Sequence, residues 1–249
     1  MKKKVLIFFM LITPIIFWYF TAQKKGNSVD IIVVGTNAEY PPFTFIKNDA
    51  IVGFDIDLIS EVGKRLGKKV EFRDMPFDVL IPEMQRGSIH IIAAGMTPTP
   101  EREKEVMFSQ CYFTNDPLVI VAKAHKHITS VEQLNGKDVI VNDGYTADFY
   151  MSSLKGPILK RLPTPSVAFL ALEADRADAY VVAKSTISPF FKNKEEQKFI
   201  TTPISGTEER YAFAISPKAS MLLPLINKNI EDIKQDGTLK ILKDKWGIV

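Results

Sequence analysis

Two stretches far apart in the chain share one local grammar. Gln85-Arg86-Gly87-Ser88-Ile89-His90-Ile91-Ile92 and Asp175-Arg176-Ala177-Asp178-Ala179-Tyr180-Val181-Val182 each read as the end of a helix, a tight turn and a buried strand. A helix feeding a short, nearly all-apolar strand is the building unit of α/β sheets, whose strands are covered on both faces. Its occurrence twice predicts an α/β fold of two similar lobes. The flanking pattern agrees: strands are expected over 31–34, 69–72 and 89–94, helices over 55–66 and 79–85, and a further helix starting over 100–105. Ile56, Ile59, Val62, Gly63 and Leu66 fall on one stripe of the first helix. A second set follows, with strands over 118–122, 138–141 and 179–182 and helices over 131–134, 146–153 and 167–174. The tail differs, reading as a strand over 211–215 and two helices broken at Asp236-Gly237, so the chain is expected to return and complete the first lobe. The 249 residues accommodate two lobes of about 100 residues each: 30–116 with 210–249 for the first, and 117–209 for the second.

Charge and cysteine usage narrow the function classes. The formal charge of +3 equals the contribution of Lys2, Lys3 and Lys4, and the rest of the chain is balanced, so nucleic-acid binding has no electrostatic support. Those lysines precede an uncharged apolar run over 5–20, so residues 1–26 read as a signal peptide or an N-terminal membrane anchor. The small-x-small cleavage pattern is not met around Ala22, and no cysteine follows the run for lipid attachment. Cys111 is the only cysteine, which excludes an intramolecular disulfide and a multi-cysteine zinc site. His90, His125 and His127 are too scattered for a metal cluster, and no cofactor motif is visible.

The sharpest local signal is Gly53-Phe54-Asp55-Ile56-Asp57-Leu58. Gly53 ends a hairpin, Asp55 is expected to cap the following helix, and Asp57 suits its positive end. A D-x-D metal site lacks a third ligand nearby. With Val62, Gly63 and Leu66, this stretch resembles the signature of the extracellular solute-binding proteins for amino acids that serve ABC importers. Gly35-Thr36-Asn37-Ala38-Glu39-Tyr40-Pro41-Pro42-Phe43 is similar to that family's first ligand loop. Phe77-Asp78-Val79-Leu80-Ile81-Pro82 and the run from Ala94 through Gly95, Met96, Thr97 and Pro98 to Lys104 are similar to the next two, the last most of all to arginine-binding members. The resemblance runs from about Ile31 to Trp246. It implies the type II periplasmic-binding-protein fold: two α/β lobes joined by a two-strand hinge, near 114–118 and 209–211, with the ligand cleft between them. It also implies a periplasmic monomer that captures a basic amino acid, L-arginine foremost, for a membrane ABC permease.

The residues carry chemistry suited to a small zwitterion. Thr99 is expected to cap a helix with Pro100 in its first turn, which places Arg102 where a cation opposes the helix dipole unless an anion shares the site. A guanidinium grips a carboxylate bidentately, and the backbone N–H groups of Gly95 and Thr97 are expected to add donors. The bland alternative for Arg102 is a surface ion pair with Glu101 or Glu105. By the resemblance, Tyr40 and Phe77 are aromatic walls for a cationic side chain, though Phe77 alone would read as core. Asn37 faces the ligand side chain by the same resemblance, and Glu39 reads either as a contact or as a solvated loop charge. Ala94 and Met96 belong to the same loop as Gly95. From the second lobe, Asn142-Asp143-Gly144-Tyr145-Thr146 leads from strand to helix, with Thr146 and the Gly144 backbone expected to close on the carboxylate. One position departs from the family: where many members hold the ligand ammonium with an aspartate after 179–182, this chain has Ala183 and Lys184. Glu208, Glu209 and Asp143 are the candidate substitutes. The competing functions are an enzyme on the same fold resembling cyclohexadienyl dehydratases, for which Glu39, Glu173 and Lys184 are unmarked acid–base candidates, and a ligand sensor or surface adhesin.

Overall fold

The computed structural model describes residues 30–187, 190–191 and 198–248. The segment 1–26 read as a signal peptide or anchor lies outside the described residues. Among those described, no helix is long and apolar enough to cross a membrane.

The first lobe is laid on Ile31–Thr36 (β1), a β-branched run that suits a central strand. Glu39–Tyr40 (β2), Thr44–Lys47 (β3) and Ala50–Val52 (β4) then form a small antiparallel meander. Phe54–Arg65 (α1) follows, burying Phe54, Ile56, Leu58, Ile59 and Val62. Its entry requires Gly53, at φ 141°, because a Cβ there would lie 2.1 Å from the Phe43 carbonyl oxygen. Next come Lys69–Asp74 (β5), Leu80–Arg86 (α2), Ile91–Ile92 (β6) and Met107–Phe108 (β7). β1 pairs in parallel with β5 on one side and β6 on the other.

The chain continues through Phe113–Lys123 (β8), Asp138–Asn142 (β9), Thr146–Ser152 (α3), Ile158–Leu162 (β10), Pro165–Glu173 (α4), Ala179–Ala183 (β11), Lys184–Ile187 (α5) and Phe199–Tyr211 (β12), which build a second sheet and its helices. That sheet runs β10-β9-β11-β8-β12. Alternation along β11 divides the core. Ala179, Val181 and Ala183 join Ala147 and Met151 of α3 on one face, while Tyr180 and Val182 meet Ala168, Phe169 and Leu172 of α4 on the other. Both faces are covered, so β11 reads as an unbroken apolar run. The chain then returns through Ala214–Ile215 (β13), which completes the first sheet as β5-β1-β6-β13-β7, and ends in Leu222–Gln235 (α6) and Thr238–Trp246 (α7). Asp57 accepts hydrogen bonds from the Lys245 ammonium (2.6 Å) and the Trp246 indole (2.7 Å), pinning α7 to α1.

The repeated segments occupy equivalent places. β6 lies between β1 and β13, and β11 between β9 and β8, each third in its sheet. The turn into each uses a left-handed residue, Gly87 at φ 89° and Asp175 at φ 54°. The lobes are joined by β8 and β12, which pair antiparallel from Phe113–Tyr211 to Lys123–Phe199, with register shifts between Pro203 and Glu208 and between Glu209 and Arg210.

Two local expectations are corrected, and some strands carry no sequence signal. Asp55 does not cap α1: the capping position is Gly53, with no side-chain hydrogen bond, and the Asp55 carboxylate turns into the core. The helix expected from residue 100 is a single 3-10 turn, Arg102–Lys104. β10 and most of β12 carry no apolar run and the meander only two- and three-residue ones, so sequence pattern alone passes over them.

Candidate functional site

Loops at the carboxyl ends of β1, β6, β9 and β11 face one another across the cleft between the lobes, the usual place for ligands in open α/β sheets. From the first lobe, Tyr40, Phe77, Ala94, Gly95, Thr97 and Arg102 line it. The second contributes Asn142, Tyr145, Thr146, Val182 and Ala183, and the connecting strand β12 contributes Glu209.

Arg102 is 5% exposed. Thr99 fixes the turn that carries it, its hydroxyl accepting from the Arg102 backbone N–H at 3.3 Å. The guanidinium donates to the carbonyls of Thr97 (2.7 Å) and Gly144 (3.0 Å). It lies 5.2 Å from the Phe77 ring centroid. Burial pulls its pKa down to about 10, against the supporting charge of Glu209, so it stays cationic at neutral pH. The surface ion pair with Glu101 or Glu105 does not form. Glu105 instead accepts from the Gln85 amide.

Glu209 is 6% exposed, with Oε1 buried and unpartnered and Oε2 accepting from the Thr97 hydroxyl at 3.4 Å. Desolvation, with the nearby Asp116 charge, raises its pKa to about 8. A buried carboxyl oxygen without a partner carries a desolvation cost that an incoming cationic donor removes. Of the three candidate acids, Glu209 alone reaches this cleft: Glu208 is exposed on β12, and Asp143 lines an outer compartment.

Tyr145 stands between the two aromatic walls, with its centroid 4.5 Å from Phe77 and 6.2 Å from Tyr40, and its hydroxyl donates to Asn37 Oδ1 at 3.1 Å. Beyond it opens the outer compartment, lined by Asn37, Glu39, Asp74, Phe77, Asp78 and Asp143 among others. Glu39 is exposed there, its pKa raised by partial burial and by Asp74. Behind Tyr40, a buried hydrogen-bond chain reaches the hinge. The Tyr40 and Tyr211 hydroxyls are 2.7 Å apart, and Asp116 accepts from the Tyr211 hydroxyl and the Ser185 hydroxyl, both at 2.6 Å.

Several expected donors are already engaged. The Gly95 N–H donates to Asp55 Oδ2 at 2.7 Å, and the same oxygen accepts from the Tyr112 hydroxyl at 2.7 Å. Burial raises the Asp55 pKa to about 7. The Gly144 N–H donates to Asp148, and its carbonyl is the one held by Arg102. Met96 points away, into the core with Leu80, Met84 and Ile89. Asn142 lines the cleft, but its amide is held by Leu162 and Tyr180. Among the described residues, no three of His, Cys, Asp and Glu gather to hold a metal ion.

The sequence profile of the bacterial extracellular solute-binding proteins, family 3, matches residues 32–248, nearly all of the chain that builds this cleft. The chain belongs to that family. It is similar to the arginine-binding extracellular protein ArtP of Bacillus subtilis, at 32% identity over 99% of this chain and 98% of the relative. A probable histidine-binding protein of Campylobacter jejuni is 30% identical over 90% of this chain and 88% of its own. Among solved structures, an ancestral arginine-binding protein bound to arginine superposes with a TM-score of 0.82 at 38% identity, covering 87% of this chain and 98% of its own. The fold of this solute-binding protein is therefore the two-lobed type II periplasmic-binding fold, and it is a binding protein rather than an enzyme. Tyr145, the Asp55 brace and the choice of Glu209 escaped the sequence. Tyr145 lay inside the quoted Asn142–Thr146 stretch without a spacing signal, and the other two depend on contacts between distant segments.

Proposed function

We propose that this solute-binding protein captures a basic amino acid, L-arginine first, and presents it to the membrane permease of an ABC importer. The observation that carries the reading is a pair of buried groups on one cleft, a guanidinium and a carboxyl: Arg102 suits the ligand α-carboxylate, and Glu209, with its unpartnered oxygen, suits the α-ammonium once its proton is expelled, in place of the acid missing at Ala183. Tyr40, Phe77 and Tyr145 offer ring faces to the side chain. The carboxylates of Glu39, Asp74 and Asp78 lie in its outward path. The names of the arginine- and histidine-binding relatives support a cationic ligand. Thr97 and Thr146 add hydroxyls beside Arg102, whereas Gly95, Gly144 and Met96 shape the loops. We assign 30–116 and 210–249 to the first lobe, 117–209 to the second, and closure to the β8–β12 crossing, with ligand selecting the closed form. The protein acts outside the cytoplasmic membrane, as a monomer.

Calorimetric titration of residues 27–249, stripped of carried-over ligand by unfolding and refolding, tests this against arginine, lysine, ornithine, histidine, glutamine and glutamate. One-to-one binding with arginine tightest is expected. Preference for glutamate, or silence toward all six, would overturn the reading.

A further inference from the structure

Phe149 is a large apolar side chain on the outer face of a half-buried helix. It lies in α3, and 46% of its surface is exposed. It does not line the inner cleft. Its ring centroid nevertheless lies 5.8 Å from the guanidinium carbon of Arg102. Phe77, from the first lobe, lies 5.2 Å from the same carbon. The polar contacts repeat this division: Thr97 of the first lobe and Gly144 of the second each give Arg102 one carbonyl. Each lobe thus supplies one ring and one carbonyl to a single cation.

We infer that Phe149 is a positioning residue for ligand retention: closure of the lobes brings its ring over Arg102, completing an aromatic sandwich with Phe77 that dries and holds the guanidinium. The inference rests on the reading that Arg102 grips the ligand carboxylate.

The physical argument has two parts. A cation over an aromatic face is attracted by the ring quadrupole, and more so once water is displaced. Arg102 also loses water on the Phe149 side, and a charge-assisted hydrogen bond strengthens as the local dielectric falls. Both effects require the second lobe to be closed on the first, because Phe149 and Arg102 lie on different lobes. The open form lacks them. An interaction present only in the closed form slows opening and leaves ligand entry unchanged, so it is read in the dissociation rate. Because Phe149 is half exposed and belongs to none of the core clusters among the described residues, removing it leaves the fold with little to lose.

The test compares wild type with Phe149→Ala, Phe149→Leu and Phe149→Trp by stopped-flow fluorescence and calorimetry against arginine, with thermal melts of the ligand-free proteins. Phe149→Ala and Phe149→Leu are expected to speed dissociation about three- to tenfold, with unchanged association rate and unchanged ligand-free melting temperature. Phe149→Trp is expected to restore wild-type retention, because it keeps a ring face while Leu keeps only the apolar cover. Equal dissociation rates in wild type and Phe149→Ala would overturn the inference. So would a Leu variant that holds ligand as well as Trp, or a loss of affinity matched by a loss of ligand-free stability. Failure of the wild type to bind any amino acid would refute the proposed function instead, and is distinguished by being measured first.

Discussion

Binding should depend on pH through Glu209, and the dependence has a definite sign. With the cleft arranged as in this structure its carboxyl has a pKa of about 8, raised by desolvation and by Asp116 and opposed by Arg102, Tyr211 and Thr97. It is therefore mostly protonated at pH 7. A ligand ammonium needs the carboxylate, so capture of a basic amino acid must expel that proton. Below pH 8 affinity then rises about tenfold per pH unit, and above 8 it levels off. At pH 6, two units below the pKa, the penalty is about 2.7 kcal/mol, or about a hundredfold in Kd, provided the bound-state pKa lies below 6. Arg102, at about 10, stays charged across this window and adds no slope. The assay is titration of arginine at pH 6, 7 and 8 in buffers of different ionisation enthalpy, which counts the protons released. Release approaching one proton at pH 6.5 and falling through 8 is expected. Glu209→Gln should abolish the slope, which separates it from any contribution of Asp55, another carboxyl raised by burial. A flat Kd between pH 6 and 8, or proton uptake on binding, would refute the assignment.

Two further substitutions probe the frame. Arg102→Ala should weaken any α-carboxylate ligand by about 3 kcal/mol or more, over a hundredfold, with the circular dichroism spectrum kept; retained affinity in calorimetry would remove Arg102 from the site. Gly53→Ala places a methyl 2.1 Å from the Phe43 carbonyl oxygen at a backbone angle that side chains rarely adopt, and should cost about 3 kcal/mol or more in denaturant unfolding. A wild-type unfolding midpoint would contradict the tight meander-to-helix turn.

The parts of the fold that showed in the sequence are those whose burial is complete. β11 and the apolar face of α1 announce themselves because every position, or every third and fourth, meets the core. β10 is an edge strand carrying Lys160 and Arg161 toward solvent, so its pairing with β9 leaves no apolar signature. β12 runs along an edge and through the inter-lobe crossing, and Pro203, Gly206 and two register shifts break its alternation. Such a strand is defined by its partner β8, which a single sequence does not display.

The site divides along a similar line. Arg102, Tyr40 and Phe77 sit in local motifs, and their meeting in one cleft could be anticipated from those motifs. The hydrogen-bonding state of the loops could not. The Gly95 N–H looks free in sequence because its acceptor, Asp55, comes from a helix that seemed to need that residue as its cap. Inward rotation of Asp55 exchanges a cap for a brace between α1, the Gly95 turn and Tyr112. Glu208 and Glu209 are indistinguishable by type and spacing. They part only because alternation on β12 turns one outward and the other into the cleft, where it loses water. What makes Glu209 chemically special is therefore its dehydration inside the cleft. Asp116 of β8, the Thr97 hydroxyl and Arg102 then adjust the proton affinity of that dry carboxyl, and it is this affinity that the pH titration measures directly.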